Sequence, residues 1–143
     1  GCVTALMVHR KTNWVKCIVL GAGVYDFKAQ AQLRPKMHKM LTKDFNLKST
    51  DLNKRSAINW ANELIPIPIL LLHGTGDWRV SAENSLKLAV EFLKFKIPYK
   101  LVVYPGGDHV LTEYSQQVNE EVKSHLEICL LKNETANLTP RGR

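Results

Sequence analysis

The feature that most constrains this chain is an aliphatic run, Pro66-Ile67-Pro68-Ile69-Leu70-Leu71-Leu72, which ends in the turn His73-Gly74-Thr75-Gly76-Asp77. A strand that is apolar at every position needs cover on both faces, the condition of a strand inside a parallel sheet with helices on either side. The rest of the chain alternates accordingly. Val3, Leu6 and Met7 open a helix. Val15 to Leu20 is a β-rich run closed by Gly21-Ala22-Gly23. Residues 28–64 are polar and irregular, and the best helix there is Ser56 to Leu64, capped by Ser56 with Ile58, Ala61 and Leu64 facing inward. After the aliphatic run, Ser81 caps a helix with Leu86, Ala89, Val90 and Leu93 at helical spacing. Tyr99 to Tyr104 is the next strand, and Tyr114, Val118, Val122, Leu126 and Cys129 mark a final helix. Alternation of this kind means βαβ units, so the expected class is α/β, with about three parallel strands flanked by helices.

The chain has 143 residues, 45% apolar and 23% charged, enough for one domain with a core. The net charge of +7 comes from dispersed lysines such as Lys36, Lys39, Lys43, Lys87, Lys94 and Lys100. No basic run is interleaved with stacking aromatics, so neither nucleic acid nor a membrane is expected as a partner. Three widely spaced cysteines, Cys2, Cys17 and Cys129, form neither a disulfide framework nor a zinc spacing. Cys17, inside an apolar run, reads as a small buried hydrophobe. Reduced thiols without a signal peptide point to the cytoplasm. Asn133 and Asn137 stand in glycosylation-type triplets, a pattern common by chance.

Functional groups of open α/β sheets gather beyond the carboxyl ends of the strands. Two polar clusters sit there: His73 to Val80, and Pro105-Gly106-Gly107-Asp108-His109. Asp77 and His109 are 32 positions apart, with one helix and one strand between them, so both turns are expected on one edge of the sheet. A carboxylate beside an imidazole fixes the ring's tautomer and leaves its other nitrogen as a general base. Read singly, Asp77 is equally a turn cap and His109 a loop residue, with Asp108 a turn former. His73 is expected to pack or hydrogen-bond at the strand end. Trp78 either lines the site or packs. Cys2 is read as a helix core residue, not a nucleophile, and Ser81 and Ser85 as a cap and a helix residue.

These segments resemble the end of the catalytic domain of the prolyl oligopeptidase family of serine peptidases. In that family a strand ends in His-Gly-x-x-Asp-x-x-Val, here Gly74 to Val80 preceded by His73, and a His follows one helix and one strand later in an Asp-His pair, here Asp108-His109. Ser56-Ala57-Ile58-Asn59-Trp60-Ala61 and Val19 to Asp26 resemble neighbouring stretches, with Ala57 in place of a Pro. The resemblance covers Gly1 to about Leu131. It implies the C-terminal portion of an α/β-hydrolase fold in which Asp77 and His109 are the acid and base of a Ser-Asp-His triad, acting on a peptide or small acyl substrate, with no cofactor and no metal. The departure is that no G-x-S-x-G elbow occurs in the sequence. Residues 1–131 are therefore expected to be a partial domain without the nucleophile elbow, inactive alone, and 132–143 a polar tail. The readings that compete are an esterase or thioesterase of the same fold and a non-catalytic truncated remnant.

A thin sheet of this kind leaves the outer side of Val15 to Leu20 as an unpaired apolar edge, which templates association. The isolated chain is expected to self-associate or to be poorly soluble despite its charge. Light scattering at about tens of micromolar checks this, and a monodisperse monomer there means a covered edge.

Overall fold

The computed structural model describes residues 1–131, so the polar tail and both glycosylation-type triplets lie outside the described residues. Three strands, β1 (Ile18–Gly21), β2 (Ile69–Gly74) and β3 (Tyr99–Tyr104), form one parallel sheet in the order β1-β2-β3. Leu20 pairs with Leu71, and Leu71 with Leu101. Every residue of β2 is buried, as a covered central strand requires. Ile69 and Leu71 enter one core with Leu6, Tyr25, Trp60, Leu88 and Phe92, while Leu70 and Leu72 enter a second with Tyr104 and Leu111. The two-residue period of the strand thus splits one aliphatic run between two layers.

The first layer is built by α1 (Cys2–His9) and α5 (Glu83–Lys94), the second by α6 (Ser115–Leu126), which runs on into a π-helical turn at Glu127–Leu131. Between β1 and β2 lie α2 (Phe27–Leu33), α3 (Pro35–Lys39) and α4 (Ser49–Arg55), packed around Ala31, Leu41 and Leu52. Among the described residues no helix is long and apolar enough to cross a membrane.

Three expectations need correction. Ser56 to Leu64 is not an α-helix but two 3-10 turns, Ala57–Asn59 and Ala61–Glu63. Ala57, Trp60, Ala61 and Leu64 are buried at helical spacing. The backbone is nonetheless drawn aside: Ile58 N–H donates to Tyr25 O (3.3 Å) and the Trp60 indole donates to Lys54 O (3.0 Å). Ser56 does not cap; its hydroxyl donates to Leu52 O and accepts from Phe27 N–H. In α5 the inward stripe is Ser85, Leu88, Ala89 and Phe92, whereas Leu86, Val90 and Leu93 are 48%, 52% and 70% exposed. The buried polar residues Asn84 and Ser85 decide which face turns in. The strands also begin later than the aliphatic runs, at Ile18 and Ile69, because Pro66 and Pro68 have no N–H to give a ladder.

Asn84 explains that choice. Its Oδ1 accepts from Tyr25 N–H and Asp26 N–H, both at 2.9 Å, and its Nδ2 donates to Gln30 Oε1 (3.0 Å) and Ser81 O (3.1 Å). Gln30 Nε2 in turn donates to Arg79 O at 2.8 Å. Two buried amides therefore join the β1–α2 loop, α2, α5 and the turn after β2. Asn84→Ala orphans two buried N–H groups and should destabilise the fold by about 2–4 kcal/mol. Urea unfolding at unchanged m-value measures this, and a loss under about 0.5 kcal/mol, the surface-substitution range, would contradict the network.

Candidate active site

Parallel pairing of Gly74 with Tyr104 brings the turns after β2 and β3 out at one edge of the sheet. Their backbones touch. A Cβ on Gly74 would lie 2.1 Å from Gly107 O, and one on Gly76 would lie 2.4 Å from Gly106 O. The contact is fixed by Thr75 N–H to Tyr104 O (2.9 Å) and Gly106 N–H to Thr75 Oγ1 (2.7 Å). These glycines are present because no side chain fits between the loops.

The Asp77 side chain has no solvent exposure. Its Oδ1 accepts from Arg79 N–H (2.8 Å) and Val80 N–H (3.0 Å). Its Oδ2 accepts from His109 Nδ1 (2.7 Å) and lies 3.2 Å from His73 Nε2. Burial works to raise the carboxyl pKa, but the hydrogen bonds from Val80, His109 and Arg79, together with the His109 charge, outweigh it and hold the group below its ordinary range. Asp77 is thus both the cap of its own turn and the partner of His109.

The His109 side chain is 29% exposed. With Nδ1 on Asp77, its Nε2 is uncommitted among the described residues. Asp108 braces this loop: Oδ1 accepts from Val110 N–H (3.1 Å) and Thr112 N–H (3.0 Å), and Oδ2 from the Thr112 hydroxyl. Leu111 closes it in the left-handed region (φ 57°), held there by burial at 4% exposure. An imidazole oriented in this way can take a proton at Nε2 while the carboxylate stabilises the cation that forms.

His73 is buried and packs at the strand end, with Nδ1 2.7 Å from the Ser85 hydroxyl and Nε2 3.0 Å from Val80 O. Nε2 faces two acceptors, Val80 O and Asp77, so the ring proton sits there and Nδ1 accepts from Ser85. Ser81 does not cap α5, whose N-cap is Ala82; its hydroxyl only accepts from Glu83 N–H at 3.3 Å. Trp78 is exposed, flanked by Arg34 and Arg79 at 5.2 and 5.3 Å, and walls a cleft of about 300 Å³ beside Asp77. Cys2 is half-buried against the core with its thiol donating to Gly21 O. Cys17 is also half-buried, and lies with His125 and Cys129 in a cluster that the sequence spacing hides. Sequence reading also missed Gln30 and Asn84. For Asn84 the signal is that Leu88 and Phe92, not Leu86 and Leu93, share its face of α5; Gln30 has no signal in its polar stretch.

A family model described as the prolyl oligopeptidase family matches residues 1–130. No curated protein matches the chain. Among solved structures, the chain is similar to a puromycin-hydrolyzing peptidase of Mycobacterium tuberculosis (TM-score 0.72, 22% identity, 97% of this chain and 21% of that one). It is also similar to the acylaminoacyl peptidase of Pyrococcus horikoshii (TM-score 0.82, 15% identity, 96% and 24%). A third is an acetyl ester-xyloside bifunctional hydrolase from Caldicellulosiruptor lactoaceticus (TM-score 0.62, 25% identity, 78% and 42%). The chain spans between about a fifth and a quarter of the two peptidases, and under half of the third protein.

The lowered carboxyl pKa of Asp77 fixes a sign. Its stabilisation is complete above the unfolded value near 3.8 and is lost as pH falls toward the lower native value. Acid unfolding of the wild-type chain should therefore steepen below that pH. Asp77→Asn should be less stable at neutral pH and show a flatter acid limb; identical limbs would mean that Asp77 ionisation is not linked to folding.

Proposed function

The chain belongs to the prolyl oligopeptidase family, and on that premise we propose that Asp77 and His109 are the acid and base of a Ser-Asp-His triad that cleaves peptide bonds by acyl transfer to water. One observation carries the reading: the 2.7 Å bond from His109 Nδ1 to a fully buried Asp77 carboxylate, at the carboxyl edge of the sheet. In this reading His109 Nε2 removes the proton of a serine hydroxyl as its oxygen attacks the scissile carbonyl. Asp77 holds the ring and stabilises the imidazolium, and His109 then passes the proton to the leaving amine. Water, deprotonated by His109 Nε2, then attacks the acyl-serine carbonyl, and the serine oxygen leaves and takes that proton, which regenerates the enzyme. None of these steps uses a metal or cofactor.

The 143 residues hold no G-x-S-x-G elbow, so the nucleophile is proposed to come from outside them, and the chain by itself to lack triad activity. Ser85 is fully buried and bonded to His73, which leaves it unable to serve. An esterase of the same fold is the second reading, favoured by the likeness to the acetyl ester-xyloside hydrolase. A partner proposal accompanies both: β1 ends the sheet, with the exposed Trp14 beside it, and self-association would run along that edge.

With the nucleophile supplied in the same polypeptide, a fluorophosphonate probe should label one serine. Asp77→Asn should lower kcat by about 10³–10⁴-fold with the fold retained. Wild-type turnover in that variant, or in His109→Ala, would refute the assignment. Faster turnover of acetyl esters than of peptides, by kcat/KM, would choose the second reading.

A further inference from the structure

At the opposite end of the sheet from Asp77, Cys17 meets two side chains from the other end of the sequence. The donor atoms of Cys17, just before β1, and of His125 and Cys129, at the end of α6, all lie within 4.8 Å of one another. Cys129 opens onto a cleft of about 250 Å³ walled by Pro98, Lys100, Glu121 and Ile128, so a small molecule can reach it. We propose that Cys17 and Cys129 are a dithiol that closes to a disulfide, tying the end of α6 to the start of β1.

The geometry favours this over a metal ion. The Cys129 sulfur lies 3.9 Å from Nδ1 and 3.8 Å from Nε2 of His125. A sulfur equidistant from both ring nitrogens is on the lone-pair axis of neither. Around tetrahedral zinc, with Zn–S about 2.3 Å and Zn–N about 2.0 Å, it would be near one nitrogen and far from the other. His125 therefore walls the Cys129 sulfur without sharing an ion with it in this arrangement. Burial lowers the pKa of this imidazole, ahead of the opposing pull of the Ile18 and Pro68 backbone. Burial and the neighbouring Cys17 push the Cys129 thiol up to about 11, so exchange starts at Cys17.

The oxidant is a low-molecular-weight disulfide such as oxidised glutathione. The half-buried Cys17, as thiolate, attacks one of its sulfurs and releases one glutathione thiolate, leaving a mixed disulfide. Cys129 then attacks the Cys17 sulfur of that bond, and its proton leaves with the second glutathione, which departs as the thiol. Two protein thiols are oxidised and one glutathione disulfide is reduced to two thiols. The closed loop spans roughly 110 residues, and the restriction that a cross-link places on the unfolded chain grows with loop length.

The test uses the protein equilibrated with oxidised glutathione, alkylated without reduction and digested with trypsin. Cys17 falls in the peptide 17–28 and Cys129 in 124–132, with Cys2 in a third. The expected result is a linked 17–28/124–132 peptide, lighter than the sum of its halves by two hydrogens, with Cys2 alkylated. Reductant should lower Tm by on the order of 10 °C, and C17S and C129S should remove that sensitivity. Three results would overturn the proposal: separate glutathione adducts on Cys17 and Cys129, a link through Cys2, or stoichiometric zinc in the purified protein that protects both thiols.

Discussion

The Asp77 carboxylate sets the terms for the rest of this structure. A charged side chain without solvent exposure is tolerated only where protein donors replace water. Four groups surround it: two backbone N–H groups of its own turn and the rings of His73 and His109. Each brings a requirement. The N–H groups need the turn from Gly74 to Val80 wound tightly. His73 needs a buried hydroxyl behind it, which Ser85 provides from α5. His109 needs the β3–α6 loop to lie against the β2–α5 loop, and that forces glycine at 74 and 76. Much of the carboxyl edge of the sheet follows from burying one charge.

The two partners are held unequally. Asp77 is bound within its own turn, and that turn is bound in its turn by Gln30 to Arg79 O and by Arg34 to Trp78 O and Arg79 O. His109 is held by Asp77 and by a loop that Asp108 and the left-handed Leu111 brace. The buried acid is thus the fixed member, and the partly exposed base is the one whose position depends on a single loop.

The fold class and the parallel sheet were legible because Ile69 to Leu72 of β2 are apolar at every position, and only a doubly covered strand tolerates that. Asp77 and His109 were legible because glycines and a strand–helix–strand spacing flank them. What escaped notice was decided by buried polar groups, which periodicity counts as solvent-facing. Asn84 and Ser85 turn α5 by one face, so Leu88 and Phe92 point inward and Leu86, Val90 and Leu93 point outward. Trp60 and Ile58 hydrogen-bond to Lys54 and Tyr25 and break a helical pattern into 3-10 turns. The Cys17–His125–Cys129 cluster was hidden because only the parallel register and the α6 crossing bring position 17 to position 129.

α6 connects the two ends of this picture. It begins six residues after His109 and reaches the amino end of the sheet, where His125 and Cys129 lie. Its cover on the second core is thin: Val118 and Val122 are half-buried, Leu126 is 36% exposed, and within the helix no residue is fully buried. A helix so lightly packed draws stability from its ends more than from its face. At the amino end it has the Asp108 turn, the Tyr114 hydroxyl on Pro105 O and the Tyr104–Tyr114 ring contact. At the carboxyl end it has Cys129, buried beside Cys17. Since the amino-end contacts also shape the His109 loop, whatever secures the far end of α6 also limits how far that loop can drift from Asp77.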